Sequence, residues 1–540
     1  MKNNLVYCNG VSAASGQEVI SPIDIDSLAK IILGAPREDS ATERWLKNLQ
    51  EGRKPDARYL ALIAGLAVDD LSQAGWGVIF TDDADPAVRE ALAPLIELRK
   101  QQAGGPWPAG RFREFAGQEG YRAGDTFQTF LARHGVDNPG TVDPAAGVPY
   151  YLLLVGDPNK IPYRFQYLLD VQHAVGRVYF DEVEWYHHYA RSVVAAERGR
   201  AARGEVKEGG DRASAGVNAQ LVEGGERAEA DDARHGGAEG GHDGLSLSRR
   251  CVFFGVGNGQ DRATQLAASG FTEPLATWLA GEPQAISNPF DPPVMRTAAP
   301  PGWQVERIMG SEATRARLLD VLRQPPPALL FTSSHGLSCP LGAPEQAREQ
   351  GALVCADWTT SRDDPQPIER SMYLTGDDIP DDAQLHGTIA FFLACHGAGT
   401  PQHDNFSFAR EGVNRHIAER ALVSYLPQRM LAHPSGGALA VIGHVEKAWY
   451  HSFVWRRKPR QTVFEDLLRR LSLGQPVGAA MEPLGLRYVE LAARLLSMYE
   501  DAKFNVYPDS ETTVAMWTAY LDARNYIVLG DPAVCLAATT

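Results

Sequence analysis

Two short stretches carry side chains that can do covalent chemistry. Ser-Ser-His-Gly occupies 333–336 and Ala-Cys-His-Gly occupies 394–397. Each closes a run of apolar residues, ALLF before the first and IAFFL before the second. A thiol attacks a carbonyl only as the thiolate, and a neighbouring imidazole helps to generate it. Cys395 as nucleophile, with His335 as proton shuttle 60 positions upstream, therefore points to acyl transfer. Gly336 leaves its N–H open to a substrate, and the N–H of Cys395 can join it in holding an oxyanion. Alone, a buried cysteine is usually a small hydrophobe, and a strand-end histidine is usually a hydrogen-bonded structural residue. Their pairing at consecutive strand ends, each with a glycine close behind, is what reads as catalytic. His396 competes locally as base, but its side chain should point to the other side of the strand end, which favours His335.

Other chemistries fit less well. His335, Cys339, Cys355 and Cys395 are near one another in sequence, but no Cys-x₂₋₄-Cys pair of the structural zinc type is present. No metal is expected, and the dyad needs no organic cofactor. GVGNG (255–259) has glycines after an apolar run, but position 260 is Gln, so the G-x-G-x-x-G spacing fails.

The elements that must hold these residues are short, continuously apolar runs: WGVIF (76–80), YYLLLVG (150–156), RCVFFGV (250–256), ALLFTSS (328–334), TIAFFLA (388–394), GALAVIG (437–443) and NYIVLG (525–530). Helical patterns separate several of them, among them PAVREALAPLIELRKQ (86–101), SEATRARLLDVLRQ (311–324) and TVFEDLLRRLSLG (462–474), the last with Gly474 as a C-terminal cap. Strands buried on both faces and alternating with helices indicate an α/β fold with a mostly parallel sheet. In such sheets ligands bind outside the carboxyl ends of the strands. That rule singles out Asp157, Gly255 to Asp261, His335-Gly336, Cys395 to Gly397, His444 and Asp531.

The chain has 540 residues, enough for two or three units at roughly 100–200 residues each. Its formal net charge of −15 argues against general binding to nucleic acid or anionic membranes. No uninterrupted apolar run approaches the roughly 20 residues that span a bilayer. The N-terminus has no apolar core of signal-peptide length, and six widely spaced cysteines do not make a disulfide framework. The expected compartment is the cytoplasm. Residues 196–249 contain no aromatic residue, isoleucine or proline. Such a stretch buries too little apolar surface to offset its ordering entropy, so it is expected to be disordered. It is also studded with arginines, as a processing segment would be.

Taken together, these residues resemble the gingipain-type cysteine peptidases of the caspase-like superfamily. YYLLLVGDPNKIP (150–162) is similar to the family's Leu-Val-Gly-Asp strand, and HAVGRVYFD (173–181) to its Gly-Arg turn. LLFTSSHGLS (329–338) resembles the catalytic-histidine strand, IAFFLACHGAG (389–399) the catalytic-cysteine strand, and NYIVLGDPAVCL (525–536) the terminal strand. The five follow family order across about residues 150–540, and the first 150 match less clearly. Two departures are an insertion around 342–371, between His335 and Cys395, and the extra 196–249 segment.

The resemblance implies a caspase-like α/β fold, a mostly parallel sheet flanked by helices, in two subdomains: 1–195 and a catalytic 250–540, joined by the 196–249 linker. It implies a cysteine endopeptidase with Cys395 as nucleophile, His335 as proton shuttle, and the Gly336 and Cys395 amides as the oxyanion hole. No third carboxylate is demanded. Family members that cut after Arg or Lys carry an acid at the base of the first specificity pocket. Asp261 is the acid in the matching region, although the register runs nearer Ser269 or Gly270. Trp449 and Tyr450 fall where the family places an aromatic pocket wall, and they read equally as ordinary packing. The partners expected are protein or peptide substrates and an upstream activating protease, with no nucleic acid and no membrane. Analogy at the level of fold adds a bacterial role in signalling, cell death or antiviral defence. Two other classes share the same core: a non-enzymatic caspase-like scaffold, and another thiol acyl hydrolase.

Overall fold

The computed structural model describes residues 5–34, 62–136, 141–214, 249–282, 298–359, 365–404, 406, 415–449, 453–455, 458–459 and 461–536. The strands that position the site are, in chain order, Gly10–Ser12 (β1), Trp76–Phe80 (β2), Phe112–Phe115 (β3), Tyr151–Val155 (β4), Ala174–Val178 (β5), Arg250–Val256 (β6), Gln304–Gly310 (β7), Leu329–Ser333 (β8), His335–Ser338 (β9), Leu353–Val354 (β10), Tyr373–Leu374 (β11), Ile389–Leu393 (β12), Ala440–His444 (β13) and Tyr526–Gly530 (β14). Every predicted apolar run forms one of these.

Ten of the strands make one sheet, in the order β3-β2-β4-β5-β14-β13-β12-β8-β6-β7. All neighbours are parallel except β13 and β14. The sheet is thus two parallel five-strand blocks joined back to back, with helices flanking it. Alternate residues of β4 serve different sides: Leu153 joins the main core, while Leu152 and Leu154 join a second cluster with Phe115, Phe127 and Phe130. The edge strands β3 and β7 are only partly buried, so they lack the continuous apolar runs that mark the interior strands.

Register in the block β13-β12-β8-β6-β7 is held by a ladder of rings. Phe253, Phe331 and Phe391 are direct neighbours across β6, β8 and β12. Their centroids are 5.2 and 4.6 Å apart, at interplanar angles of 26° and 4°. Such cross-strand aromatic pairs add about 0.5–1.5 kcal/mol each beyond burial. A slip of β8 by one residue would carry Phe331 to the opposite face of the sheet, away from Phe253 and Phe391. The ladder therefore brings the ends of β6, β8 and β12, where Asp261, His335 and Cys395 follow, to one edge of the sheet.

A four-stranded sheet, β11-β10-β9-β1, lies at that edge. The insertion between His335 and Cys395 supplies β10, and β11 follows directly after it. The fourth strand comes from the N-terminus: Gly10, Val11 and Ser12 pair in parallel with Gly336, Leu337 and Ser338. Sequence reading assigned residues 1–195 to one unit and 250–540 to another. Two strands cross that division, β1 onto β9 and β14 onto β5.

Composition pointed to disorder from residue 196, but the helix Val183–Ser214 runs through the first part of that stretch. Its Ala, Arg and Glu residues are strong helix formers, and Glu197 anchors it through an ion pair to Arg99 at 3.0 Å. Residues 215–248 lie outside the described residues. The predicted Gly-Arg turn is also different: Ala174–Val178 is a buried strand, and Arg177 donates to the carbonyls of Gly156 and Ile161 at 2.8 and 2.7 Å. Asp531, at a strand end, is structural. It accepts from Trp76 Nε1 at 2.9 Å and Arg99 Nε at 2.7 Å inside the core. Gly474 does adopt the left-handed conformation expected of a cap, with φ +81°.

Candidate active site

Cys395 follows β12 and His335 opens β9, one residue after β8. Because β8 and β12 pair in register, the two residues emerge side by side. Gly336 is required here. A Cβ on it would lie 1.7 Å from the carbonyl oxygen of Cys395. Its absence lets the two backbones approach, so the N–H groups of Gly336 and Cys395 converge on one point. That point holds the carbonyl oxygen of Asn9, 3.1 Å from each nitrogen.

Asp261, expected from sequence at the base of a specificity pocket, is paired with His335 instead. Its buried carboxylate caps the helix Arg262–Ala267 by accepting the Thr264 N–H at 3.0 Å, and the same oxygen lies 2.8 Å from His335 Nε2. Burial alone would raise the Asp261 carboxyl; the charge and hydrogen bond of His335, with the Thr264 hydrogen bonds, instead bring it down to about 2. His335 is fully buried, which pulls an imidazole down, but Asp261 and then Cys395 outweigh this and hold it above its ordinary value. With Nε2 committed to Asp261, Nδ1 is a buried nitrogen without a hydrogen-bond partner among the described residues.

The Cys395 thiol is fully buried. Burial should raise it, yet it is held below its ordinary value by the Cys8 thiol, by the Ala448 N–H, and by His444 and His335. Ala448 N lies 3.1 Å from Cys395 Sγ, and Cys8 Sγ lies 3.3 Å from it. In this thiol pair Cys395 carries the thiolate character, and Cys8 is pushed well up by its hydrogen bond to Cys395 and by burial. A lowered thiol beside a raised imidazole is the polarity of an activated nucleophile.

The other predicted site residues fall as follows. His396 is a left-handed residue, φ 61°, whose buried ring bonds Thr400 Oγ1 at 3.1 Å. Burial, then Lys447 and His444, bring it down to about 3. His444 is paired with Asp522 at 3.2 Å inside the protein. The Trp449 ring packs against Phe406 and Trp517, with centroids 5.4 and 5.9 Å away, and is 2% exposed. Trp449 meets the site through its backbone, in an antiparallel bridge to Cys8. Tyr450 lies outside the described residues. Among the described residues no three His, Cys, Asp or Glu side chains converge to hold a metal ion, and no helix is long and apolar enough to cross a membrane.

Sequence reading missed the N-terminal stretch Tyr7-Cys8-Asn9-Gly10. No local signal marks it, because its partner Cys395 is 387 positions away from Cys8.

No family model matches the chain, and no curated protein matches it. Among solved structures, one described as "Structure of Protease" is similar at a TM-score of 0.42 and 12% identity, over 86% of this chain and 80% of that one.

Proposed function

We propose that the chain is a cysteine endopeptidase of the caspase-like, gingipain-like type. Cys395 attacks the peptide carbonyl and His335 protonates the leaving amine. Asp261 positions His335 and sustains its charge. The Gly336 and Cys395 amides hold the oxyanion, and water then releases the acyl-enzyme. The observation that carries this reading is the convergence of those two N–H groups on a single carbonyl oxygen beside the Cys395 thiol. The protein or peptide class of substrate agrees with it, since the carbonyl held there belongs to a peptide bond.

The case for cutting after basic residues rested on Asp261. That carboxylate is committed to His335, so this preference is not retained. Activation by an upstream protease cutting within 196–249 remains part of the reading, on composition alone.

A peptidyl acyloxymethyl ketone tests the proposal. It should label wild type, and Cys395→Ala should not be labelled. A scaffold would give no labelling in either. A thiol hydrolase of another class would be labelled without dependence on the peptide side chain.

A further inference from the structure

The segment Cys8-Asn9-Gly10 meets the site as a substrate strand does. The Asn9 carbonyl accepts from both Gly336 and Cys395, the Asn9 N–H donates to the Ala448 carbonyl at 2.9 Å, and Cys8 bridges Trp449 in antiparallel fashion. Main-chain pairing of this kind is how extended peptides are held at a sheet edge, and the doubly bonded carbonyl is where charge develops on attack. The next residue also fits a bound peptide. A Cβ on Gly10 would lie 2.9 Å from Cys395 Sγ, closer than real Cβ contacts, and 3.0 Å from its Cβ, so any larger residue here must displace the Cys395 side chain. The segment covers the site: Cys395 and His335 are both 0% exposed.

We infer that the chain is its own first substrate, cut between Asn9 and Gly10, and that the cleft takes a small uncharged side chain before the cut and glycine after it. This rests on the peptidase reading above. The Asn9 side chain is 1% exposed, and neither amide atom has a hydrogen-bond partner among the described residues. A long cation in that place would be buried with the Asp261 carboxylate already committed elsewhere. In the reaction, the Cys395 thiolate adds to the Asn9 carbonyl carbon. The C–N bond breaks, and its electron pair leaves on the Gly10 nitrogen, which takes the His335 proton. Water, giving a proton back to His335, hydrolyses the thioester to the Asn9 carboxylate and frees the thiolate. Residues 1–9 are then held without a covalent bond and can leave. Gly10–Ser12 stays in the small sheet through β9, so the cut opens the cleft without dismantling its wall.

The test uses the full chain under reducing conditions at neutral pH, read by intact mass and by mapping new N-termini, with denatured casein added in parallel. Wild type should lose residues 1–9 and expose Gly10, and Cys395→Ala should stay intact. Asn9→Arg should be cut at least about 10-fold more slowly, a typical discrimination for a pocket side chain. Gly10→Val should expel the strand, leave the 9–10 bond uncut, and raise alkylation of Cys395 by iodoacetamide at least about 10-fold. If wild type or Gly10→Val digests casein while the wild-type 9–10 bond survives, the inference fails and the peptidase reading stands. Cutting of Asn9→Arg as fast as wild type would overturn the stated side-chain preference. If no form cuts either substrate and Gly10→Val leaves alkylation unchanged, both readings fall.

Discussion

His335 Nε2 lies 2.8 Å from Asp261 Oδ2, with both side chains buried. This bond fixes the ring orientation and leaves Nδ1 as the nitrogen free to exchange a proton. It also extends the dyad proposed from sequence to three residues, because Asp261 holds His335, the proposed base, instead of serving as a specificity acid.

Replacing Asp261 with Asn keeps the shape and removes the charge. His335 should fall from its raised value, since the charge that raises it is gone. In the proposed mechanism activity needs a deprotonated Cys395 and a protonated His335, so the alkaline limb of the kcat/KM profile should move to lower pH. The rate at the optimum should drop by on the order of 10²-fold. An unchanged alkaline limb would show that Asp261 serves only as a helix cap. The same carboxylate stabilises the fold above its ordinary value of 3.8, and that contribution is lost as pH falls through about 2.

The Cys8 thiol lowers Cys395 by hydrogen bonding to it. Cys8→Ala should therefore raise Cys395 and move the acid limb of self-cleavage to higher pH. Rates of appearance of the new terminus across pH 5–9 (roughly the range in which such groups titrate) would check this.

Gly336→Ala would place a methyl group 1.7 Å from the Cys395 carbonyl oxygen. The Gly336 and Cys395 N–H groups, the proposed oxyanion donors, must then separate. Turnover should fall by about 10²–10³-fold, as for loss of one oxyanion-hole donor, with the global fold retained by circular dichroism.

Away from the site, Arg99 bridges Asp531 and Glu197 at 2.7 and 3.0 Å, and is 1% exposed. Arg99→Met leaves the fully buried Asp531 without its counter-ion. Urea denaturation should show a loss of roughly 3–5 kcal/mol, where a surface arginine would cost almost nothing.

The interior of the sheet was readable because β4, β6, β8, β12, β13 and β14 are covered on both faces and must be apolar throughout. The edge strands β3 and β7 were not, since solvent on one side permits polar residues such as Glu114 and Glu306. His335, Gly336 and Cys395 announced themselves through residue type at strand ends. Asp261 was found as an acid near the site, but its partner depends on how β6 and β8 align, which the Phe253–Phe331 contact sets in three dimensions. The Asn9 contact was unreadable for the same reason in stronger form. It joins Asn9 to Gly336 and Cys395, 327 (336 − 9) and 386 (395 − 9) positions along the chain, through backbone atoms, which every residue possesses.

The most direct measurement compares wild type with Cys395→Ala, each incubated alone and with a denatured protein mixture, reading new termini by mass spectrometry. The account predicts new termini from wild type alone, in the mixture and at Gly10 of the chain itself. New termini at equal levels from both proteins, or none from wild type after residues 1–9 have been removed, would contradict it.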